Sequence, residues 1–403
     1  MIKGKDFVFT GLQPWDIALG SNAKDIAAEV SADNRVLYIS TPLDYLTYKG
    51  KGGESRQDIL HRRRVVNGEL PVLRRLSGTM WTLDFPFTLF PVNKLPDGLI
   101  FDFFNYRNNK RMYKFVNNIL KELEFKDYIL FIDNDVYRSL HAPALLKPAF
   151  SVYYRRDNLV SPYWKDHVGR IEPKICAACD MVAANSIYLA DMVRPYNPKA
   201  YDVGQGLDLS DYNPERTYPV PEDMKHIPGP VVGYAGWITS LRLDAGLLYE
   251  VARTMPEVSF VMVGSEDEYF SKHRLHSLKN VYFLGLKQSG EIPDYIAAFD
   301  ICMNPQLVNE ITKGNYPRKI DEYLSLGKRV IATRTPAMEM FAPYVWNCDG
   351  AAEYIRAIRE ALDDHSAERV QKRIAFAQTH TWKNSVTKIY SHIQDNISLK
   401  QRI

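Results

Sequence analysis

The sequence predicts an α/β protein of two domains, each built from alternating strands and helices. Three observations lead to this prediction. The 403 residues are too many for one ordinary hydrophobic core. Short apolar runs alternate with amphipathic segments in both halves of the chain. Between the halves, residues 211–230 hold five prolines among polar residues, which is typical of a linker.

Composition excludes several classes of protein. The chain is 46% hydrophobic and 25% charged, which is typical of a soluble globular protein. Its 51 basic and 48 acidic residues nearly balance, so we expect no nucleic-acid partner. No apolar run is long enough for a membrane helix and the charged start is unlike a signal peptide, so we expect a cytoplasmic location. Cys176 and Cys179 lack a second pair, and we interpret them as buried helix cysteines rather than a zinc or disulfide site.

The first half opens with a strand at 6–10, a polar loop, a helix beginning near residue 20 and a strand at 34–40. A loop at the carboxyl end of such a strand faces the ligand cleft of a Rossmann-like domain. Because G-x-G-x-x-G is absent, we do not expect a nicotinamide cofactor. Further elements are expected as helices at 105–124, 173–179 and up to Met192, and as strands at 128–132, 150–154 and 180–184.

Residues 44–112 are harder to interpret. They interleave basic clusters at 61–64, 74–75 and 107–111 with an aromatic run at 81–90. Such clusters suit anionic phospholipid headgroups or a lipid diphosphate acceptor. Solvated loops and core aromatics explain the same pattern, and the sequence leaves both readings open.

The second half alternates regularly. We expect strands at 231–235, 258–263, 280–284, 299–303 and 329–333, and helices at 291–298 and from 317. Two helices are expected after Ala351, the last at about 382–397. Pro317 fits the first position of its helix and Gly327 its C-cap. A polar loop thus opens onto a helix N-terminus, which is a natural anion site.

Residues 322–330, Glu-Tyr-Leu-Ser-Leu-Gly-Lys-Arg-Val, resemble the donor-site signature of bacterial GT-B glycosyltransferases of the family 4-like (group 1) class. The resemblance implies a GT-B fold, in which two Rossmann-like domains face each other across a cleft. It implies an acceptor-binding domain at 1–210, the linker at 211–230 and a nucleotide-sugar-binding domain at 231–380. The helix at 381–403 would cross back to the first domain.

The resemblance also implies a donor site. Glu322 would hold the ribose hydroxyls of the nucleotide. The family's first glutamate would fall at Gly314 and is missing, although a longer loop could bring Glu310 to its place. Of the family's two diphosphate-binding cations, Arg242 matches one, Trp237 replaces the other, and Lys319 is the expected substitute. The implied donor-binding residues are Gly236, Arg242, Gly264, Leu286, Asn315, Tyr316, Lys319 and Glu322.

On the acceptor side, the family's His-Asp pair at a strand end is replaced by Arg156-Asp157. Asp157 would deprotonate or orient an acceptor hydroxyl, while Arg242 and Lys319 would stabilise charge on the leaving diphosphate. These three residues form the implied catalytic group. The implied acceptor-side residues are Trp15, Asp16, Gly20, Ser21 and Arg156.

The expected reaction is transfer of a sugar from a nucleotide diphosphate sugar to a hydroxyl of a saccharide or lipid-linked saccharide. The expected setting is synthesis of cell-surface polysaccharide or glycolipid, with peripheral contact at the inner membrane surface and no cofactor beyond the donor. Two alternatives remain open: a sugar-nucleotide epimerase of the same fold, and a binding protein without catalysis. The missing glutamate at Gly314 and the missing arginine at Trp237 favour the second alternative.

Asp133-Asn134-Asp135 follows an apolar strand and resembles the metal site of GT-A glycosyltransferases. That class has a single nucleotide-binding domain, whereas both halves here alternate strand and helix. Such a triplet is also a common cap or turn. We therefore expect no metal, and we expect activity to persist in excess EDTA.

Overall fold

The computed structural model describes residues 1–17, 20–52, 54–161, 163–164, 166–208, 210–314 and 316–400, with the backbone alone for residues 56 and 400. The chain divides into two compact units. One is Met1–Gly204 together with the chain from Trp382 onward, and the other is Gln205–Thr381. Residues 205–230 therefore lie in the second unit, where Met224 and Ile227 are buried in its core.

The first unit is built on a sheet of eight described strands. Their order is β3-β4-β2-β1-β5-β6-β7-β8, and all pairs are parallel except β3 with β4. The strands are β1 (Asp6–Thr10), β2 (Arg35–Ile39), β3 (Leu73–Arg75), β4 (Met80–Leu83), β5 (Ile129–Asp133), β6 (Phe150–Arg155), β7 (Met181–Ala184) and β8 (Ala200–Asp202).

The helices of the first half are α1 (Asn22–Ser31), α2 (Tyr45–Tyr48), α3 (Arg56–Val66), α4 (Leu99–Glu122), α5 (Ala142–Leu146), α6 (Val168–Ala178) and α7 (Ile187–Val193). One face of the sheet packs against α4 and α6 through residues such as Val116 and Ile175. Burial on both faces explains why the central strands are almost continuously apolar.

The second unit contains a parallel sheet of six described strands in the order β11-β10-β9-β12-β13-β14. The strands are β9 (Val231–Ala235), β10 (Ser259–Val263), β11 (Val281–Gly285), β12 (Ile301–Asn304), β13 (Arg329–Thr333) and β14 (Trp346–Cys348). The helices are α8 (Ala245–Thr254), α9 (Glu268–Ser271), α10 (Ile292–Ala298), α11 (Arg318–Ser325), α12 (Ala351–Asp363) and α13 (Ala367–Gln378).

The last helix, α14 (Trp382–Lys400), belongs to the first unit. Val386, Ile389 and Ile393 enter the core that α1 forms with the sheet, and the Asn34 side-chain amide donates to the Tyr390 hydroxyl at 2.9 Å. None of the helices in the described part of the chain has the length and apolarity needed to span a membrane.

Three expected elements differ in the structure. The helix expected to begin at Pro173 begins at Val168 instead, so Pro173 lies inside it. A proline inside a helix lacks the N–H that would donate to the carbonyl four positions earlier, which here belongs to Gly169. The helix expected from residue 105 begins at Leu99, directly after Gly98. Three helices rather than two follow Gly350, since the chain breaks at 364–366 and the Ser366 hydroxyl caps α13. Cys176 and Cys179 are buried and free, as expected.

Candidate functional site

The carboxyl edge of the second sheet is formed by glycine-bearing loops. The Gly236 N–H donates to the Val263 carbonyl at 2.9 Å, and the Gly264 N–H donates to the Gly285 carbonyl at 2.9 Å. Gly264 has φ +146°, and a Cβ there would lie 1.9 Å from the Gly236 carbonyl oxygen. Only glycine allows this backbone approach, so the loops after β9, β10 and β11 lie side by side at the edge where such sheets bind ligands.

Lys319 brings a positive charge to this edge. It is the second residue of α11, and its Nζ donates to the Tyr234 hydroxyl at 2.6 Å and lies 3.8 Å from the centre of that ring. A Cβ on Gly236 would lie 2.7 Å from the same Nζ. The ammonium thus lies against open glycine backbone, beside the N-terminal end of α11.

Arg242 supplies a second cation from the loop between β9 and α8. The Leu307 N–H donates to the Arg242 carbonyl at 2.8 Å, and the Asn309 side-chain amide donates to the Leu241 carbonyl at 3.0 Å. These bonds join the loop to the one after β12, which also carries Glu310. The Arg242 side chain is exposed and has no hydrogen bond or ion pair with the part of the chain that the structure describes. Its charge is available to an anion.

The rest of the loop between β9 and α8 is held in place by Asp267. One carboxylate oxygen accepts from the Ser240 N–H and hydroxyl at 2.7 Å each and from the Thr239 hydroxyl at 3.1 Å. Burial opposes ionisation, but these bonds and one from the Phe270 N–H hold the pKa of Asp267 below its ordinary value. Trp237, which stands where the family has a cation, is 56% exposed.

Glu322 lies one turn further along α11 and is half-buried. Burial raises the pKa of its carboxyl group, and the charges of Arg318 and Lys319 partly counteract that effect. The nearby hydroxyl of Tyr212 also counteracts it. The Nε of Arg318 is buried and has no partner among the described residues. Glu322 is therefore an acceptor among cations, which suits contact with hydroxyl groups.

The other implied donor residues have different environments. Leu286 follows β11 and is 77% exposed. The ring of Tyr316 is buried in the core, and its hydroxyl donates to Asp321 at 2.8 Å. The Tyr316 hydroxyl is thus bonded to the buried carboxylate of Asp321, and the other oxygen of that carboxylate lies 2.7 Å from His380 Nδ1. Asn315 lies outside the described residues.

Sequence reasoning missed the residues that support this site. Tyr234 positions Lys319, and the hydroxyl of Tyr323 accepts the Ala235 N–H at 3.1 Å, which ties α11 to the end of β9. The only signal for Tyr234 is its place two residues before Gly236 at the end of a strand. Tyrosines are common in strands, so this pattern does not distinguish a tyrosine that supports a site from one that only packs in the sheet.

In the first unit, the implied acceptor residues follow β1. The Trp15 N–H donates to the Ser40 hydroxyl at 3.2 Å and its ring packs edge-on against Tyr38. Ser21 is the N-cap of α1. Gly20 is exposed, and a Cβ there would meet no atom within 4 Å. Asp16 forms an ion pair with Arg74, and one of its oxygens lies 3.3 Å from His61 Nε2.

The Asp133-Asn134-Asp135 triplet has arginine partners. The Arg156 Nε donates to the buried Asp133 carboxylate at 2.7 Å, and Arg138 donates to Asp135 at 2.7 Å. Arg156 also pairs with Asp157 at 2.9 Å. Burial alone would lower the pKa of the Arg156 guanidinium, but the two carboxylates raise it above its ordinary value. Each acidic group of the triplet thus already has a cation.

Comparisons with known proteins show which family and fold the chain resembles. Residues 230–364 match the family model described as "Glycosyl transferases group 1". Over 238 residues the chain is 26% identical to a protein of Bacillus subtilis (strain 168) named as a teichuronic acid biosynthesis glycosyltransferase, TuaH. The match covers 56% of this chain and 60% of that relative's length.

Solved structures match nearly the whole chain. HepE of Anabaena in complex with UDP aligns with a TM-score of 0.66 and 16% identity, covering 97% of this chain and 100% of that one. An Escherichia coli structure described as trehalose-6-phosphate bound with UDP-2-fluoro glucose aligns with a TM-score of 0.66 and 12% identity, covering 96% and 98%. The expected GT-B fold is confirmed, so the chain does not have the GT-A fold whose metal site the Asp133-Asn134-Asp135 triplet resembles.

Proposed function

We propose that this chain, whose residues 230–364 belong to the group 1 glycosyltransferases, transfers a sugar from a nucleotide diphosphate sugar to an acceptor hydroxyl. One observation carries the proposal. Arg242 and Lys319 place two cations at the carboxyl edge of the second sheet, beside the N-terminus of α11 and the open backbone of Gly236. Negative charge develops on the diphosphate as the bond to the sugar breaks, and cations held in advance stabilise it.

The other donor contacts follow from the same edge. Glu322, half-buried on α11 beside two cations, accepts hydrogen bonds from the ribose hydroxyls. Leu286 supplies an exposed apolar surface for the base, and the glycines at 236 and 264 admit the donor close to the backbone. No cofactor besides the donor takes part in the proposed reaction.

The names of the relatives suggest the substrates. HepE has been solved with UDP-glucose and with UDP and glucose, so we propose a UDP sugar as the donor. TuaH is named for teichuronic acid biosynthesis, so we propose a saccharide or lipid-linked saccharide of a cell-surface polymer as the acceptor.

Nucleotide release from a panel of UDP and GDP sugars tests the proposal, with and without an octyl glycoside as acceptor. Turnover that produces a new glycoside supports it. Interconversion of the donor sugar without an acceptor favours the epimerase. Binding without turnover favours a non-catalytic protein, and thermal shift with each nucleotide detects binding independently. The Arg242→Ala and Lys319→Ala variants should each lower turnover by about a hundredfold, whereas Lys272→Ala, at the exposed position directly after α9, should not.

We also propose that the first unit contacts the inner membrane surface through the first turns of α4. Leu99 is 87% exposed, and Ile100, Phe103 and Tyr106 on the same stripe are 53%, 56% and 43% exposed. The next turns carry the exposed basic residues Arg107, Lys110 and Lys114. Apolar side chains beside cations suit an anionic lipid surface.

The other basic clusters of the region contribute less to that surface. Arg62 is buried and paired with Glu54, Arg63 donates to the Tyr48 carbonyl, and Arg74 is paired with Asp16. Of the aromatic run, Phe85 is in the core. These clusters are therefore explained by side-chain pairing and by burial in the core. The exposed apolar and basic residues of α4 are the part of the region that suits a lipid surface.

Sedimentation with vesicles tests the membrane contact. The wild-type protein should bind vesicles of phosphatidylglycerol and phosphatidylcholine but not vesicles of phosphatidylcholine alone. The double change Leu99→Ser and Phe103→Ser should abolish binding, whereas Ile187→Ser, at a 51% exposed position on α7, should not. Equal sedimentation of all three proteins contradicts the contact.

A further inference from the structure

A cavity of about 200 Å³ lies at the amino edge of the second sheet. Its apolar wall is formed by residues 343–346, which lead into β14, and its polar wall by Arg369, Lys372 and Arg373 of α13. Because β13 and β14 are parallel, their amino ends meet at the edge opposite the one that forms the candidate donor site. The cavity is therefore separate from that site, and all its lining residues belong to the second unit.

Arg373 is the buried cation of this cavity, with a side chain that is 4% exposed. Its Nη2 donates to the Asp364 carboxylate at 2.9 Å, and its Nε donates to the Tyr344 carbonyl at 3.4 Å. Its Nη1 makes no hydrogen bond with any residue in the part of the chain that the structure describes. The guanidinium carbon lies 5.5 Å from the centre of the Trp346 ring. A guanidinium has five N–H donors, so Arg373 keeps donors for a ligand in the cavity.

The carboxylate that compensates Arg373 is shared with other cations. The same oxygen of Asp364 lies 3.6 Å from Nη1 of Arg369, and the Arg329 Nε donates to the Asp364 backbone carbonyl at 2.8 Å. Burial lowers the pKa of the Arg373 guanidinium; Asp364 partly counteracts this effect, whereas the charges of Arg329 and Arg369 add to it. Three guanidinium groups thus lie around one carboxylate, and the surplus of positive charge favours an anion beside them.

Arg369 and Lys372 extend the basic wall towards the surface. They precede Arg373 by four residues and by one, so the side chains at 369, 372 and 373 lie along one side of α13. Lys372 forms an ion pair with Glu368 at 2.7 Å, but both side chains are largely exposed. Exposed ion pairs contribute little free energy, so Lys372 can turn from Glu368 to a ligand at small cost.

The charge and shape of the cavity favour a phosphate group over a carboxylate. Lys372 and Glu368 balance each other, whereas the three arginines and one aspartate leave two positive charges. A phosphomonoester carries about −1.5 to −2 charges at pH 7, and a carboxylate carries only one. Planar guanidinium groups also match two phosphate oxygens at once. The volume is below the range of about 300 to 1,000 Å³ that is typical of sites for drug-sized molecules, so it suits a small ligand.

We propose that this cavity binds a phosphate group, which Arg369, Lys372 and Arg373 hold by charge-assisted hydrogen bonds. The group is either free phosphate or part of a sugar phosphate, whose organic part would lie against the ring of Trp346. The proposed site goes beyond the glycosyl transfer and does not depend on it, because no residue of the candidate donor site lines the cavity.

Calorimetry with inorganic phosphate and with glucose 1-phosphate tests the site. The wild-type protein should bind at least one of them saturably. The double change Arg369→Gln and Lys372→Gln, at two exposed positions, should lower the affinity about tenfold or more, because charge-assisted hydrogen bonds are lost. Arg373→Met should abolish binding. The matched control is Arg359→Gln, which removes an exposed cation of α12 that does not line the cavity and should bind as the wild type does.

Two further variants separate the sources of the phosphate and the two anion sites. If the ligand is a sugar phosphate, glucose 1-phosphate should bind more tightly than inorganic phosphate, and Trp346→Leu should remove this difference while binding of inorganic phosphate persists. If the ligand is free phosphate, inorganic phosphate should bind at least as tightly. The double change Arg242→Ala and Lys319→Ala removes the cations of the candidate donor site, and it should leave the affinity of the cavity for both probes unchanged.

Each outcome decides the inference. Equal affinity of the wild type and the Arg369→Gln, Lys372→Gln protein overturns it, as does the absence of saturable binding of either probe. Loss of binding in the Arg242→Ala, Lys319→Ala protein would place the phosphate at the donor site and would also overturn it. Glucuronate that binds as tightly as glucose 1-phosphate would make the cavity a carboxylate site instead. If Arg373→Met unfolds, the double variant decides alone. Failure of the proposed glycosyl transfer leaves these titrations and their interpretation unchanged.

Discussion

Glu322 combines features that favour a ribose contact. It lies on α11 one turn past the N-terminus, and its neighbours Arg318 and Lys319 are cations. A carboxylate among cations accepts strong hydrogen bonds, and ribose hydroxyls can donate them.

Glu322→Ala should weaken nucleotide binding by about tenfold or more, since hydrogen bonds to a charged group are lost. Calorimetry with UDP and GDP measures the effect. The matched control is Glu257→Ala, at an exposed position before β10, which should bind as the wild type does. Equal affinity of both variants for the nucleotide would contradict the donor-site assignment, and an unchanged unfolding temperature would show that Glu322→Ala is folded.

At this scale the resemblance to the family pointed to Arg242, Lys319 and Glu322, whose roles stay predictions, and it did not point to the tyrosines that support them. The family's motif is local in the chain, so it can be recognised without the fold. Tyr316 was taken as a donor residue, but its hydroxyl contacts Asp321 and His380, the latter 64 residues away. His61 was noted only as part of a basic cluster, since its partners Asp16 and Asp84 lie on other elements. Long-range pairs leave no periodic signal.

Among the elements, the loops after β9 and β10 are tightly coupled through glycine. Gly264→Ala should destabilise the second unit by about 2 kcal/mol or more, because alanine disfavours a φ of +146° and its Cβ would meet the Gly236 carbonyl. Urea unfolding measures the loss. Gly290→Ala, where a Cβ meets no atom within 4 Å, should change stability much less. Similar stabilities for the two variants would show that the loop relaxes without cost.

The start of α4 is tied to α6 through Asp97. His167 Nδ1 lies 3.0 Å from its carboxylate, and Arg170 donates to it at 2.6 Å. These bonds, the arginine's first, hold the pKa of Asp97 below its ordinary value. The folded state therefore binds this proton more weakly than the unfolded state does. The stabilisation is present above about pH 4, the ordinary value for aspartate, and is lost as the pH falls further.

Asp97→Asn should therefore lower stability at pH 7 by at most about 1 kcal/mol, because the group is exposed to solvent. The difference from the wild type should shrink at pH 3. Urea unfolding at both pH values gives the comparison, with Asp166→Asn, at an exposed position nearby, as the control. A difference that is the same at both pH values would mean that packing rather than charge is lost.

Elements with strong apolar patterns were predicted within a few residues, including all the strands that line the candidate donor site. The short strands β3, β4, β8 and β14 were missed, because three or four residues carry too little pattern to separate a strand from a loop. The start of α6 was predicted at Pro173, because proline is favoured at the first position of a helix. In the structure this proline lies inside the helix.

For the whole molecule, the alternation of strands and helices was enough to predict two α/β units, since each sheet must be covered on both faces. The division at Gly204 and Gln205 was harder to place. The proline-rich segment looks like a separate linker, but Met224 and Ile227 bury it against the second unit. Proline content alone does not distinguish a free linker from a packed one.

The last prediction concerns metal dependence. Asp133 and Asp135 are paired with Arg156 and Arg138, and Asp16 is paired with Arg74, so arginine stands where a divalent ion would bind. At the proposed donor site, Arg242 and Lys319 supply the charge that a metal supplies in other enzymes. Transfer should therefore persist in excess EDTA, and added manganese should not raise the rate. An assay with enzyme dialysed against chelator measures this directly, with magnesium-saturated EDTA as the control for non-specific inhibition. Complete loss of activity that manganese restores would require a metal at the donor diphosphate and would contradict the role of both cations.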